Sequence, residues 1–189
     1  MICPMSDNGK SKTGSTATSR RTGPLTTGMA LLKTMRPKQW TKNVVVFAPL
    51  VFDEKLFQAA LLGRTALAFA LFCLISSTVY IINDLVDIEK DREHPKKRLR
   101  PLPAGVLSPR VALAAAGVFI LISFPLAWWL DRSFALILLS YLLLNIAYSF
   151  YLKHLVIIDG LVIATGFVLR VAGGVAVVGV ERFSPWLYL

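Results

Sequence analysis

The stretch "LFCLISSTVYIINDLVDIEKDREHPKKRLRP" (71–101) decides the fold. Its first twelve residues carry no charge, and from Asp84 onward acids and then bases crowd together. A long apolar run is a candidate spanning helix, and its charged end is where that helix meets water. The motif can be placed on that helix at about 100° per residue. Relative to Asn83, Asp87 then falls near 40°, Asp91 near 80° and Asp84 near 100°, while Glu89 falls near 240°. One face therefore gathers Asn83, Asp84, Asp87 and Asp91, and Glu89 points away.

Such a face is costly unless a cation offsets the repulsion between its carboxylates. Hard oxygen donors of this kind suit Mg²⁺, which takes one or two carboxylates and completes its shell with water and substrate phosphates. His94, Lys96, Lys97, Arg98 and Arg100 follow at once and can meet remaining phosphate oxygens. Acids beside bases are what a metal-dependent diphosphate site at a membrane surface requires. A solvated loop whose charges only set topology is the alternative.

The rest of the chain supports a membrane setting. Of 189 residues 55% are hydrophobic, mean hydropathy is +0.61, and 17% are charged, against about 25% in soluble domains. The net charge is +10, but the cations flank apolar blocks. That distribution fits topology and anionic headgroups better than nucleic acid. Cys3 and Cys73 form neither a disulfide framework nor a metal cluster.

Residues 1–28 are polar and basic and read as a disordered tail, leaving 29–189 as a transmembrane helical domain. Residues 29–43 suit an interfacial helix or the entry to a first span. "VVVFAPLVF" (44–52) is short for a crossing and reads as a broken or tilted span. Longer blocks cover about 56–82, 111–130, 133–152 and 155–180, and "SPWLYL" (184–189) looks like the start of another. The blocks lack the alternation of barrel strands, so the expected fold is all-α: a polytopic transmembrane bundle of about five helices plus the start of a sixth. With the N-terminus inside, 16 of the 21 Lys and Arg residues lie on the cytoplasmic side. This places the acidic motif there too, in an integral cell-membrane protein.

Ionisable residues inside apolar blocks are expensive and usually functional, which singles out Asp159 and Arg170. They are eleven positions apart, so they share a helix face but lie roughly 16 Å apart along the axis. Gly166, Gly173 and Gly174 suit close helix packing. Trp128 and Trp129 read as interface anchors.

"NDLVDIEKD" (83–91) resembles the N-D-x-x-D-x-x-x-D motif of the UbiA superfamily of intramembrane prenyltransferases. "RPKQWTKN" (36–43), "HPKKRLRPLPAG" (94–105), "AYSFYLKH" (147–154) and "DGLVIATGFVLRVAGG" (159–174) resemble its polyprenyl-phosphate phosphoribosyltransferase branch, best known for decaprenyl-phosphate members that make cell-wall arabinan precursors. The resemblance covers about residues 33–189. It implies nine helices around a central cavity, Mg²⁺ as cofactor, phosphoribosyl pyrophosphate as donor and a polyprenyl phosphate as acceptor. By position it implies Asn83, Asp87 and Asp91 as metal ligands and Asp84 as their close support, these aspartates forming the catalytic set. Lys97 and Arg100 would hold phosphate, and Tyr148 and Lys153 would lie near the diphosphate. Lys42 and Asn43 would reach the same pocket. Of the two intramembrane charges, Asp159 near the cytoplasmic end would face the cavity, and Arg170, deeper, could hold a phosphate or an acid on another helix. The family's second polar motif would lie beyond Leu189, so the expectation is a chain incomplete at its C-terminus. Two other functions fit the acidic motif: an aromatic or quinone-type prenyltransferase using a polyprenyl diphosphate, and a transporter or non-catalytic membrane protein.

Overall fold

The computed structural model describes residues 24–152 and 156–179. The first helix, α1 (Pro24–Met35), starts within the stretch read as tail. Residues 1–23, Lys153 and the "SPWLYL" segment lie outside the described residues. A 3₁₀ helix (Pro37–Phe47) then runs into the short α2 (Ala48–Phe52). The long α3 (Ala59–Val86) leads into α4 (Ile88–Glu93), and α5 (Pro109–Leu130), α6 (Arg132–Ala147) and α7 (Val156–Val178) complete the bundle. The described residues contain no strand.

Four helices are long and apolar enough to cross a membrane: α3, α5, α6 with the turn after it, and α7 from Asp159. The first expected span is not among them. The sequence instead forms a broken element in which the 3₁₀ helix rises about 2.0 Å per residue and α2 about 1.5 Å, so residues 37–52 extend roughly 30 Å. That is about the thickness of the hydrocarbon core. The element runs antiparallel to α3, with Arg36 meeting Asp84, Trp40 meeting Ser77, Asn43 meeting Ser76 and Phe47 meeting Phe69.

α3 is the central helix and packs on α1, the 3₁₀ helix, α5, α6 and α7. Phe72 sits at its middle, fully buried, with the rings of Phe134 and Tyr141 set edge-on at 5.6 and 5.7 Å. The turn from α5 to α6 is a single residue. Asp131 ends one helix in an extended conformation and caps the next, accepting from the Phe134 N–H at 2.8 Å. Arg64, near the start of α3, donates to the Leu130 carbonyl at 2.9 Å and fixes the opposite end of α5 beside it.

A second core forms at the acidic end of α3. Leu102 and Leu107 are buried there against Ile81 and Ala112, with Trp40 and Leu85 alongside. The loop that carries them turns at Gly105, whose φ of +72° favours glycine. The Pro101 carbonyl accepts from the N–H groups of both Val106 and Leu107. The basic loop is therefore folded back onto the bundle by two buried leucines.

The C-terminal half of α7 packs closely on the first element. A Cβ at Gly174 would collide with the Val46 carbonyl oxygen and meet Pro49 at 3.0 Å, whereas a Cβ at Gly63 would meet nothing within 4 Å. Gly174→Ala is expected to lower stability by about 1–3 kcal/mol through overpacking. Gly63→Ala should be neutral or stabilising by up to about 1 kcal/mol. Thermal melting of the two variants in detergent, compared with the parent, checks the difference.

Candidate active site

The acidic motif does not lie on one uninterrupted helix. α3 ends at Val86, and Asp87 adopts φ −94°, ψ 8° before α4 begins. The hydrogen-bond ladder nonetheless continues, since the Asp87 N–H donates to Asn83 and the Asp91 N–H to Asp87. The four-residue spacing thus keeps its face through the break. Asp84, Asp87 and Asp91 are all buried, whereas the Glu89 side chain is 77% exposed and pairs with Arg92.

Asp84 and Asp91 converge on one guanidinium. Arg100 Nη1 donates to Asp91 Oδ2 at 2.6 Å and to Asp84 Oδ1 at 3.3 Å, and Lys97 Nζ lies 3.7 Å from Asp91 Oδ1. Lys97 and Arg100, expected to face phosphate, are here held against the aspartates. The buried leucines of the returning loop put them there. Among the described residues no three His, Cys, Asp or Glu side chains gather as a metal cage.

Arg36 is a member of this cluster that the sequence reading missed. Its Nη2 donates to Asp84 Oδ1 at 2.6 Å, and its guanidinium lies 4.9 Å from the centre of the Tyr80 ring. Its backbone is left-handed, φ 53°, immediately before Pro37. That conformation is uncommon for a side chain larger than glycine, and it persists only where the surroundings hold it. The ion pair and the ring contact supply that hold. The one signal in the sequence was an Arg-Pro junction between two helical stretches.

A pocket opens beside the cluster, with Tyr80 shared between them. Its lining includes Lys42, Asn145, Tyr148, Asp159 and Arg170. Four residues singled out from sequence therefore meet in one place. Asp159 and Arg170 do not touch: Tyr148 donates to Asp159 Oδ1 at 2.6 Å, and Arg170 donates through Nη2 to the Tyr141 hydroxyl at 2.9 Å. Asn43, expected among the substrate-binding residues, is fully buried and instead braces Arg170. Its Oδ1 accepts from Arg170 Nε at 2.7 Å while its Nδ2 donates to Ser76 Oγ and Cys73 Sγ. Tyr141, Tyr80 and Asn145 were not anticipated. They belong to apolar blocks in which a single polar residue carries no distinctive spacing.

A family model described as the UbiA prenyltransferase family matches residues 44–189. The chain belongs to this family. It is 40% identical over 151 residues to the decaprenyl-phosphate phosphoribosyltransferase of Mycolicibacterium smegmatis, covering 77% of this chain and 48% of that protein. The protein of the same name from Corynebacterium glutamicum is 39% identical over 175 residues, covering 90% and 52%. The chain spans about half the length of the curated relatives it matches. A solved UbiA homolog from Archaeoglobus fulgidus, bound to GPP and Mg²⁺, shares the fold with a TM-score of 0.71 at 23% identity, covering 84% of this chain and 57% of that one.

Asp84 is the shared acceptor of two arginines whose side chains are 29% and 31% exposed. Asp84→Asn is therefore expected to cost about 1–3 kcal/mol, below the 3–5 kcal/mol range of fully buried pairs because both partners reach solvent. Glu89→Gln should stay within about 0.5 kcal/mol of the parent. Chemical or thermal unfolding in detergent distinguishes the two.

Proposed function

We propose that this protein transfers the phosphoribosyl group of phosphoribosyl pyrophosphate to a polyprenyl phosphate, releasing diphosphate, at the cytoplasmic face of the cell membrane. The observation that supports this most is the juxtaposition of the Asp84–Asp91 cluster with a cation-bearing pocket, in a UbiA-family chain 40% identical to decaprenyl-phosphate phosphoribosyltransferases over 77% of its length. The bond that breaks joins ribose C1 to the diphosphate oxygen, and the bond that forms joins C1 to an oxygen of the acceptor phosphate.

The donor set fits Mg²⁺. Asp87 and Asp91 with Asn83 present hard oxygen donors on successive turns, Asp84 lies beside them, and Mg²⁺ takes only one or two carboxylates when substrate phosphates complete its shell. Bound there, the metal would neutralise charge on the departing diphosphate. Arg100 and Lys97 sit within reach of the same region and would turn their free donors to phosphate oxygens. Arg36 keeps Asp84 fixed from the other side. Tyr148 and Asp159 add a polar pair to the lining of the neighbouring pocket. Lys153, outside the described residues, remains part of the proposed phosphate-binding set.

A membrane assay with labelled phosphoribosyl pyrophosphate and a polyprenyl phosphate tests the reading. Label should enter the lipid fraction in a Mg²⁺-dependent way. Asp87→Asn should reduce that transfer at least about a hundredfold, while Glu89→Gln changes it less than about twofold. Absence of label in lipid, together with alkylation of an aromatic acceptor by a prenyl diphosphate, would replace this reading with a prenyltransferase. Equal loss in both variants would remove the basis for the aspartate face.

A further inference from the structure

Arg170 is 7% exposed, inside the apolar span that starts at Asp159. A buried guanidinium ordinarily has a carboxylate against it, because an unpaired buried charge is strongly unfavourable. Among the described residues no carboxylate lies within ion-pair distance of Arg170. Its neighbours are dipoles and ring faces: Asn43 Oδ1, the Tyr141 hydroxyl, the Tyr141 ring at 4.9 Å and the Phe167 ring at 5.5 Å. These stabilise and orient the cation without neutralising it.

The geometry directs what remains of the group into the pocket. Nε and Nη2 are engaged, and Nη1 lies 3.2 Å from where a Gly166 Cβ would be. Gly166 lines the pocket, so the space a larger residue would fill is where Nη1 emerges. Helical side chains lean toward the helix N-terminus, which here is the Asp159 end. Lys42 supplies a second cation at the pocket's edge. Ile163 and Phe167, 55% and 36% exposed, form a wall shared by the pocket and the outer apolar surface of α7. An anionic head with an apolar tail fits this combination. A soluble sugar phosphate makes no use of such a wall.

We propose that Arg170, with Lys42, binds the phosphomonoester head of an isoprenoid lipid, at a site separate from the aspartate cluster and independent of divalent metal. This rests on the acceptor assigned under Proposed function and adds where, and with what chemistry, that acceptor is held. One guanidinium edge matches one phosphate group.

The test is binding of farnesyl phosphate to the detergent-purified protein in EDTA, with farnesol and inorganic phosphate as comparison ligands. Saturable binding is expected, weakened at least tenfold by Arg170→Gln and severalfold by Lys42→Met. Asp91→Asn should change it less than twofold. Arg170→Lys keeps the charge but not the planar edge and should show an intermediate loss, which preserves the test if the Gln variant does not fold. Binding that needs Mg²⁺, or that survives both Arg170 variants, overturns the proposal. Inorganic phosphate binding as tightly as farnesyl phosphate overturns the lipid assignment. Metal-free binding that depends on Arg170 supports this site even if no phosphoribosyl transfer is found, so the two readings fail separately.

Discussion

A carboxylate 2% exposed, at the end of the most buried of the four long helices, organises this end of the molecule. Asp84 accepts from Arg36 on one side and Arg100 on the other. The first partner comes from the break between α1 and the 3₁₀ helix, the second from the loop that returns after α4. The ion pairs tie both segments to α3, the second of them alongside the buried leucines that already fold its loop onto the bundle. The left-handed backbone of Arg36 marks the junction itself: it separates α1 from the 3₁₀ helix, which begins at Pro37 and runs antiparallel to α3. Arg100 extends the arrangement to Asp91, so one cation links two turns of the acidic face.

The pocket depends on a second set of contacts near the middle of the bundle. Gly174 lets α7 approach the 3₁₀ helix closely, and Gly173 leaves room for the Phe72 ring. That closeness brings Asn43 within reach of Arg170. Asn43 is oriented by its other end, where Ser76 and Cys73 accept from its amide nitrogen. Three elements distant in sequence thereby aim one guanidinium. A buried polar network of this kind strengthens itself in a low-dielectric interior and specifies a single arrangement.

The parts legible in the sequence were those with a local cause. Four apolar blocks became the four long helices, because a backbone in lipid must satisfy itself within the segment. The three- and four-residue spacing of the aspartates put Asp84 and Asp91 on one side and Glu89 on the other, a helical periodicity that survives the break at Asp87. What could not be read depended on long-range partners. Arg36 meets Asp84 across 48 residues, and Asn43 meets Arg170 across 127. No spacing rule connects such positions. The 3₁₀ form of the first element was equally hidden. "VVVFAPLVF" is too short for an α-helical span, and the antiparallel packing of the 3₁₀ helix along α3 depends on partners far away in sequence.

The two polar regions differ in charge balance, and this separates their roles on the proposed reading. At the aspartate cluster, acids and bases face each other, and a ligand must exchange partners with Arg100 or Lys97 to bind there. Such a site suits a metal–diphosphate pair that brings both signs of charge at once. In the pocket, Arg170 is oriented by neutral groups, and Asp159, the nearest acid on its own helix, is engaged by Tyr148 at the other end. A lone anion entering this pocket displaces no protein carboxylate, so its attraction to the cation is not spent on breaking an existing pair. Tyr80 stands between the two, stacked under Arg36 and exposed to the pocket. An acceptor phosphate held by Arg170 and a sugar diphosphate held at the aspartates would thus both lie beside one aromatic side chain, at neighbouring sites of unlike charge balance.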